Sequence, residues 1–174
     1  TRERIDSDGW LHTGDQARME GEHLYIIGRI KDILVLSNGE KVAPGDIELA
    51  IALDPLVEQV MVIGEGRPYL SALLVLDAGS WPGLAQGCGL DPTDPASLGN
   101  RKVTVLVLGR IKNALSEFPG FAKIRRVTLL LEPWTVDNGL LTPTLKTRRE
   151  NVLKRYASQV EGMYQNGLVA GNRR

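Results

Sequence analysis

GRIKDILVLSNGEKVAPGDIE, Gly28 to Glu48, is the stretch around which this chain is organised. An apolar run, Leu24 to Ile27, leads into Gly28-Arg29. A second, Ile33 to Leu36, breaks at Ser37-Asn38-Gly39, a small polar cluster with the residue types that form tight turns. Pro44 then opens a helix, because its fixed φ suits a first turn and its missing N–H would be unpaired there anyway. Asp46 and Glu48 complement the positive end of that helix, and Pro55 stops it. Ile47 and Ile51, like Leu49 and Leu53, fall four apart, so the helix reads as apolar over much of its girth and as core. A charge cluster and a glycine loop held between rigid pieces is where a site or a hinge would be placed.

Working outward, 174 residues are enough for one domain with a real core. Lysine plus arginine and aspartate plus glutamate number 21 each, so no global field argues for nucleic acid or an anionic membrane. One cysteine, Cys88, excludes an internal disulfide and fits a reducing, cytoplasmic setting. No apolar run approaches the ~18 residues that span a bilayer.

Towards the N-terminus, Trp10-Leu11 reads as the first apolar anchor, and Gln16 to Met19 pairs as a hairpin with Leu24 to Ile27 across Glu20-Gly21-Glu22. Towards the C-terminus, Val57 to Ile63 and Leu70 to Leu76 are β-rich runs forming a hairpin, the second buried on both faces. Residues 81 to 100 are rich in Gly, Pro and Asp and read as loop with one short helix near 81 to 87. Val103 to Phe118 holds a strand-like VTVLVL, yet Val107, Ile111, Leu115 and Phe118 keep helical spacing, and its length favours helix. Ile124 to Leu131 is a strand, and Asn138-Gly139 signals a two-residue hairpin. Thr142 to Leu145 then runs extended to Lys146. One last helix carries Val152, Tyr156, Val160 and Met163 or Tyr164 on one face, with Glu150 and Lys154 paired four apart. Lys146, Arg148 and Arg149 crowd its start, where the dipole disfavours cations unless an anion answers them.

Three motifs stand in order: DGWLHTGD (Asp8 to Asp15), GRIKDILVLSNGEKV, and NGLLTPTLKTRR (Asn138 to Arg149). Together they resemble the C-terminal domain of the adenylate-forming superfamily of acyl-CoA synthetases, luciferases and peptide-synthetase adenylation domains. VLSNGEKV, LTPTLK and RYASQVEGMY are most similar to long-chain fatty acid CoA ligases. The resemblance covers residues 8 to 164, less the central part. It implies an α+β fold, with a small three-stranded sheet, flanking helices and a two-stranded ribbon, acting as a mobile lid. The divisions it implies are linker and ribbon at 1–28, lid at 29–164 with a loop-rich insertion at 81–100, and a disordered tail at 165–174. With no initiator methionine, the chain is expected to be a piece of a longer protein, without the large N-terminal domain that holds the phosphate loop and the magnesium ligand.

The same resemblance assigns roles. Lys146 becomes the catalytic cation that draws carboxylate and α-phosphate together; otherwise it is a solvated basic end. Asp15 and Arg29 contact the nucleotide, ATP or AMP. On residues alone, Asp15 reads as a turn residue bonding its own backbone, and Arg29 as an ion-pair partner of Asp32 or Glu48. Lys31 is the hinge residue about which the domain swings, or a plain surface lysine. Ser37, Asn38, Gly39 and Glu40 line the CoA tunnel in the second half-reaction, or are simply a hairpin turn. No residue of this chain is assigned to metal. The partners implied are fatty acid, ATP, CoA, magnesium and the rest of the same chain, with peripheral membrane contact through the full-length enzyme left open. A fatty acyl-AMP ligase serving a carrier protein would share these motifs, as would a non-catalytic nucleotide-binding lid. Leu145 departs from the glycine that most of the superfamily has before the lysine, which the long-chain group permits.

Overall fold

The computed structural model describes residues 5–29 and 32–165, without the side chains at 16 and 27–29. The fold is α+β. Strands β1 (Asp15–Glu20) and β2 (His23–Arg29) form an antiparallel ribbon, and β3 (Leu34–Val35) pairs with β4 (Lys41–Val42) in a second, shorter one. Helix α1 (Pro44–Ala52) leads to β5 (Val57–Ile63) and β6 (Leu70–Leu76), an antiparallel pair. The chain then crosses through α2 (Trp81–Gly87), a 3₁₀ turn at Pro95–Gly99 and α3 (Arg101–Ala114) to β7 (Ile124–Leu130), which joins β6 in parallel. Helices α4 (Arg149–Arg155) and α5 (Ala157–Gln165) follow.

Strand β6 is the centre of the molecule. Every one of its residues is buried, because it is the middle strand of a sheet covered on both faces. Side chains alternate across a strand. Leu70, Ala72, Leu74 and Leu76 therefore pack with Ile47 and Ile51 of α1, with Val103, Val107 and Ile111 of α3, and with Leu34, Leu36 and Val42 of the β3–β4 hairpin. Leu73 and Val75 face the other way, against Trp134, Leu140, Leu141, Val152, Tyr156, Val160 and Met163. Truncating a fully buried leucine to alanine costs about 2–5 kcal/mol, so either face can decide whether the domain folds.

Local chemistry explains the element ends. The Asn100 side chain accepts the Lys102 N–H at 2.9 Å and caps α3, which settles the VTVLVL ambiguity in favour of helix. The 81–100 stretch is part of the β6–β7 crossover: Trp81 and Ala85 of α2 enter the core, and the Trp81 indole N–H reaches the Pro92 carbonyl at 2.9 Å.

Several sequence expectations are corrected. Helix α1 is apolar on one side only, since Leu49 is 67% and Leu53 79% exposed; 100° per residue carries them off the Ile47–Ile51 face. Trp10 is no anchor: it is 73% exposed, in a turn held by the Asp6 carboxylate, which accepts the Asp8 and Trp10 N–H groups. Asn138-Gly139 makes a turn without flanking strands. The N–H groups of Leu140 and Leu141 both go to the Thr135 carbonyl, and the Asn138 side chain accepts the Thr135 N–H, so the two sides of the turn do not pair as a ladder with each other. The last helix is interrupted at Tyr156 into α4 and α5, and its charged residues pair outward, Arg149 with Glu48, Arg155 with Glu132 and Glu161 with Arg67, rather than as Glu150–Lys154. Residues 166–174 of the expected disordered tail lie outside the described residues.

Candidate functional site

Residues 142–146 fold into a tight turn, not the extended run expected. The Leu145 N–H closes onto the Thr142 carbonyl at 2.8 Å, with Pro143 second in the turn, a position its fixed φ favours. The Thr142 N–H donates to the Lys146 carbonyl at 2.8 Å, and the Lys146 N–H to the Thr142 hydroxyl at 3.1 Å. One antiparallel bridge, Leu141 to Thr147, closes the base, and buried Leu140 and Leu141 root it in the core. Closing so short a loop puts Leu145 at φ 59, the sole non-glycine residue at positive φ among those described. Its side chain is 71% exposed.

Lys146 is exposed at this tip. It borders an open cleft of about 910 Å³, whose lining includes Asp32, the α1 start at Pro44 and Gly45, and Arg148. Arg149 and Glu48 also line it but neutralise each other at 2.7 Å. The Arg149–Glu48 pair answers one of the three crowded cations; Lys146 borders the cleft as an exposed amine-bearing side chain suited to an anion such as a carboxylate or phosphate.

Asp15 and Arg29 are partners in register across the β1–β2 ribbon, 14 positions apart in sequence and side by side in the fold. Asp15 is half-buried and its own N–H is held by the Thr13 hydroxyl at 3.1 Å. The Arg29 side chain and Lys31 lie outside the described residues; Asp32, next in sequence, lines the Lys146 cleft. Of the two carboxylates the sequence offers Arg29, Glu48 bonds Arg149 through Oε1 at 2.7 Å.

Ser37 to Glu40 is the exposed turn of the β3–β4 hairpin. Gly39 sits at φ 86, left-handed territory that glycine enters without strain. The Gly39 N–H donates to the Leu36 carbonyl at 2.8 Å, and the Asn38 side chain accepts the Glu40 N–H at 3.2 Å. None of these four residues lines the Lys146 cleft. Their hairpin packs on the Leu74 face of the sheet, whereas the Lys146 turn is rooted on the Leu73 face.

Residues 31–167 match the family described as AMP-binding enzyme C-terminal domain. The chain belongs to that family. Its relatives include long-chain-fatty-acid–CoA ligase 5 of Mus musculus, 35% identical over 170 residues, 95% of this chain and 25% of that protein. Another is long chain acyl-CoA synthetase 6, peroxisomal, of Arabidopsis thaliana, 37% identical over 169 residues, 94% of this chain and 24% of that one. Among solved structures, the A domain of carboxylic acid reductase from Segniliparus rugosus, in complex with AMP and a co-purified carboxylic acid, superposes with a TM-score of 0.78 at 28% identity. That match covers 94% of this chain and 25% of the other. The chain thus spans about a quarter of the length of these relatives.

Within this AMP-binding C-terminal domain, no three His, Cys, Asp or Glu residues among those described are placed to hold a metal ion. No helix among the described residues is long and apolar enough to cross a membrane. Sequence reading missed two features. The Glu48–Arg149 tie joins residues 101 apart, beyond any local pattern. The Leu145 conformation had a signal in the departure from glycine.

Proposed function

We propose that this chain is the mobile lid of an ATP-dependent fatty acid CoA ligase, acting on long-chain acids. The observation that carries the reading is the separation of two candidate elements. Lys146 stands exposed at a cleft from one sheet face, and the Ser37 to Glu40 loop stands on a hairpin packed against the other.

In the first half-reaction a carboxylate oxygen attacks the α-phosphorus of ATP, forming the acyl-adenylate as the bond to pyrophosphate breaks. Both reactants are anionic, and an ammonium aimed between them offsets the repulsion without proton transfer. Lys146 supplies it; a lysine suits the task because its compact charge serves several oxygens at once. Asp15 accepts the ribose hydroxyls, and Arg29 adds a donor fork for the nucleotide. Magnesium would be held by the rest of the enzyme and would supply charge to screen the phosphates there. In the second half-reaction the CoA thiol gives up its proton, its sulfur attacks the acyl carbonyl, and AMP leaves. There the backbone of Ser37 to Glu40 borders the pantetheine, after rotation about Lys31 has withdrawn Lys146.

The test is Lys146→Ala in the full-length enzyme, with each half-reaction assayed. Adenylation, followed by pyrophosphate exchange, should fall roughly a hundredfold to a thousandfold, while thioester formation from supplied acyl-adenylate persists. Adenylation surviving while thioester formation fails would reverse the assigned roles. The 174-residue chain alone should turn over no substrate. The likeness to a carboxylic acid reductase A domain supports a second reading, an adenylating enzyme that hands its acyl group to a carrier; thioester formation that needs no CoA would select it.

A further inference from the structure

The turn joining β5 to β6, Gly64 to Tyr69, runs beside the β3–β4 hairpin and holds it by three hydrogen bonds. The Glu65 carboxylate accepts the Val35 N–H at 2.8 Å, the Gly66 N–H donates to the Val35 carbonyl at 2.8 Å, and the Ser37 N–H donates to the Arg67 carbonyl at 2.9 Å. The approach is close: a Cβ on Gly64 would collide with buried Leu70 and meet Leu36. Arg67 therefore holds the residue at which the exposed Ser37 to Glu40 loop begins.

Its side chain is fixed on the other side. Both terminal nitrogens of the guanidinium bond the Glu161 carboxylate on α5, the Nη1 at 3.2 Å from Oε2. Its central carbon lies 4.7 Å over the Tyr164 ring. Tyr164 is held in turn, with its hydroxyl 2.6 Å from Ser71 Oγ and within 3.2 Å of the Ile63 carbonyl, while the Tyr69 hydroxyl donates to the Met163 carbonyl at 2.8 Å. A planar fork fixed by a bidentate carboxylate and a stacked ring has little rotamer freedom left. The Glu161 pair raises the Arg67 pKa, and the same bonds hold the Glu161 carboxyl below its ordinary value, consistent with a formed pair.

We propose that Arg67 is a positioning residue for the Ser37 to Glu40 loop. The guanidinium locks onto α5 and its carbonyl transmits that fix to Ser37, so the loop is presented to the acceptor thiol in one conformation. Arg67 touches no reactant. The role in thioester formation rests on the function proposed above; the tether itself does not.

Arg67→Ala and Glu161→Gln in the full-length enzyme test it, with hydrogen exchange at the Ser37 and Gly39 amides read on the same proteins. Both variants should speed exchange at these amides. They should slow acyl transfer to CoA at sub-saturating CoA about tenfold to a hundredfold, as misplacement of a positioned group does, and lower adenylation far less. Arg67→Lys, which keeps the charge and loses the fork, should fall between. If Arg67→Ala fails to fold, Glu161→Gln carries the same comparison. Equal loss in both half-reactions, or unchanged exchange at Ser37 and Gly39, overturns the proposal. Should Lys146→Ala spare adenylation, the reading of function fails, and the exchange measurement still decides the tether.

Discussion

Glu48 and Arg149 meet at 2.7 Å around the edge of the sheet and together satisfy both backbone polar groups of one of its residues. Glu48 Oε1 accepts the Val62 N–H at 2.8 Å, and the Arg149 guanidinium bonds the Val62 carbonyl. Val62 belongs to an edge strand, whose outward N–H and C=O would otherwise stand open. The pair also ties the start of α4, three residues after Lys146, to α1. Glu48→Gln and Arg149→Gln should each destabilise the chain by about 1–3 kcal/mol. A double-mutant cycle in urea unfolding should show coupling of roughly 0.5–3 kcal/mol; simple additivity would show that the two side chains act separately.

Leu145 occupies the left-handed region with its side chain in solvent, so a β-carbon is strained there and no packing within the domain offsets it. Leu145→Gly relieves about 1–2 kcal/mol of strain, less what glycine adds to the entropy of the unfolded chain. The net expectation is a gain of roughly 0.5–1 kcal/mol, seen as a thermal midpoint raised by about 1–4 °C. A lowered midpoint would mean that the turn does not hold Leu145 at positive φ.

What was legible in the sequence follows from the range of the interactions involved. Leu70 to Leu76 announced a doubly buried strand, and Val107, Ile111 and Leu115 a helix face, because periodicity reports burial directly. Ser37 to Gly39 and Asp15 with Arg29 stood in motifs whose local chemistry and order are readable. The Thr142 to Lys146 turn was misread as extended although Pro143 was a turn signal; what closes it is a set of hydrogen bonds back to Thr142. Asn138-Gly139 gave its turn but not strands, since strands depend on partners that Thr135 had already engaged. Glu48 with Arg149, and Arg67 with Glu161, join residues 101 and 94 positions apart, and no window of sequence contains both.

The Tyr156 hydroxyl and the Trp134 indole N–H are both buried without a hydrogen-bond partner among the described residues. A buried polar group that is unpaired loses its hydration and regains nothing, so deleting it removes a penalty. Tyr156→Phe keeps the ring against Val152 and Val160 in the same cluster. Its unfolding free energy should match or exceed that of the parent, within about 1 kcal/mol. A loss larger than that in chemical denaturation would reveal that the hydroxyl is bonded in solution.

Asp54, just past α1, takes the Arg110 guanidinium of α3 in a two-point grip, Nε to Oδ2 and Nη2 to Oδ1, each at 2.6 Å. That hydrogen bonding first, then the Leu56 N–H at 3.0 Å and the Arg110 charge, hold the Asp54 carboxyl below its ordinary 3.8. A depressed folded pKa stabilises the protein fully above the unfolded value, and that contribution is lost as the pH falls through the folded one. The Arg110 side chain is 44% exposed, so the pair is worth only about 0.5–1 kcal/mol. Asp54→Asn keeps an acceptor for Leu56 and removes the charge. The variant should be less stable than the parent by that amount at pH 7, by a constant margin down to about pH 5, with the gap closing below 3.8. Raising the salt at pH 7 should shrink the same gap. Chemical denaturation of both proteins across this range decides the matter: a margin that holds or widens in acid would mean that the Asp54 charge contributes nothing through Arg110.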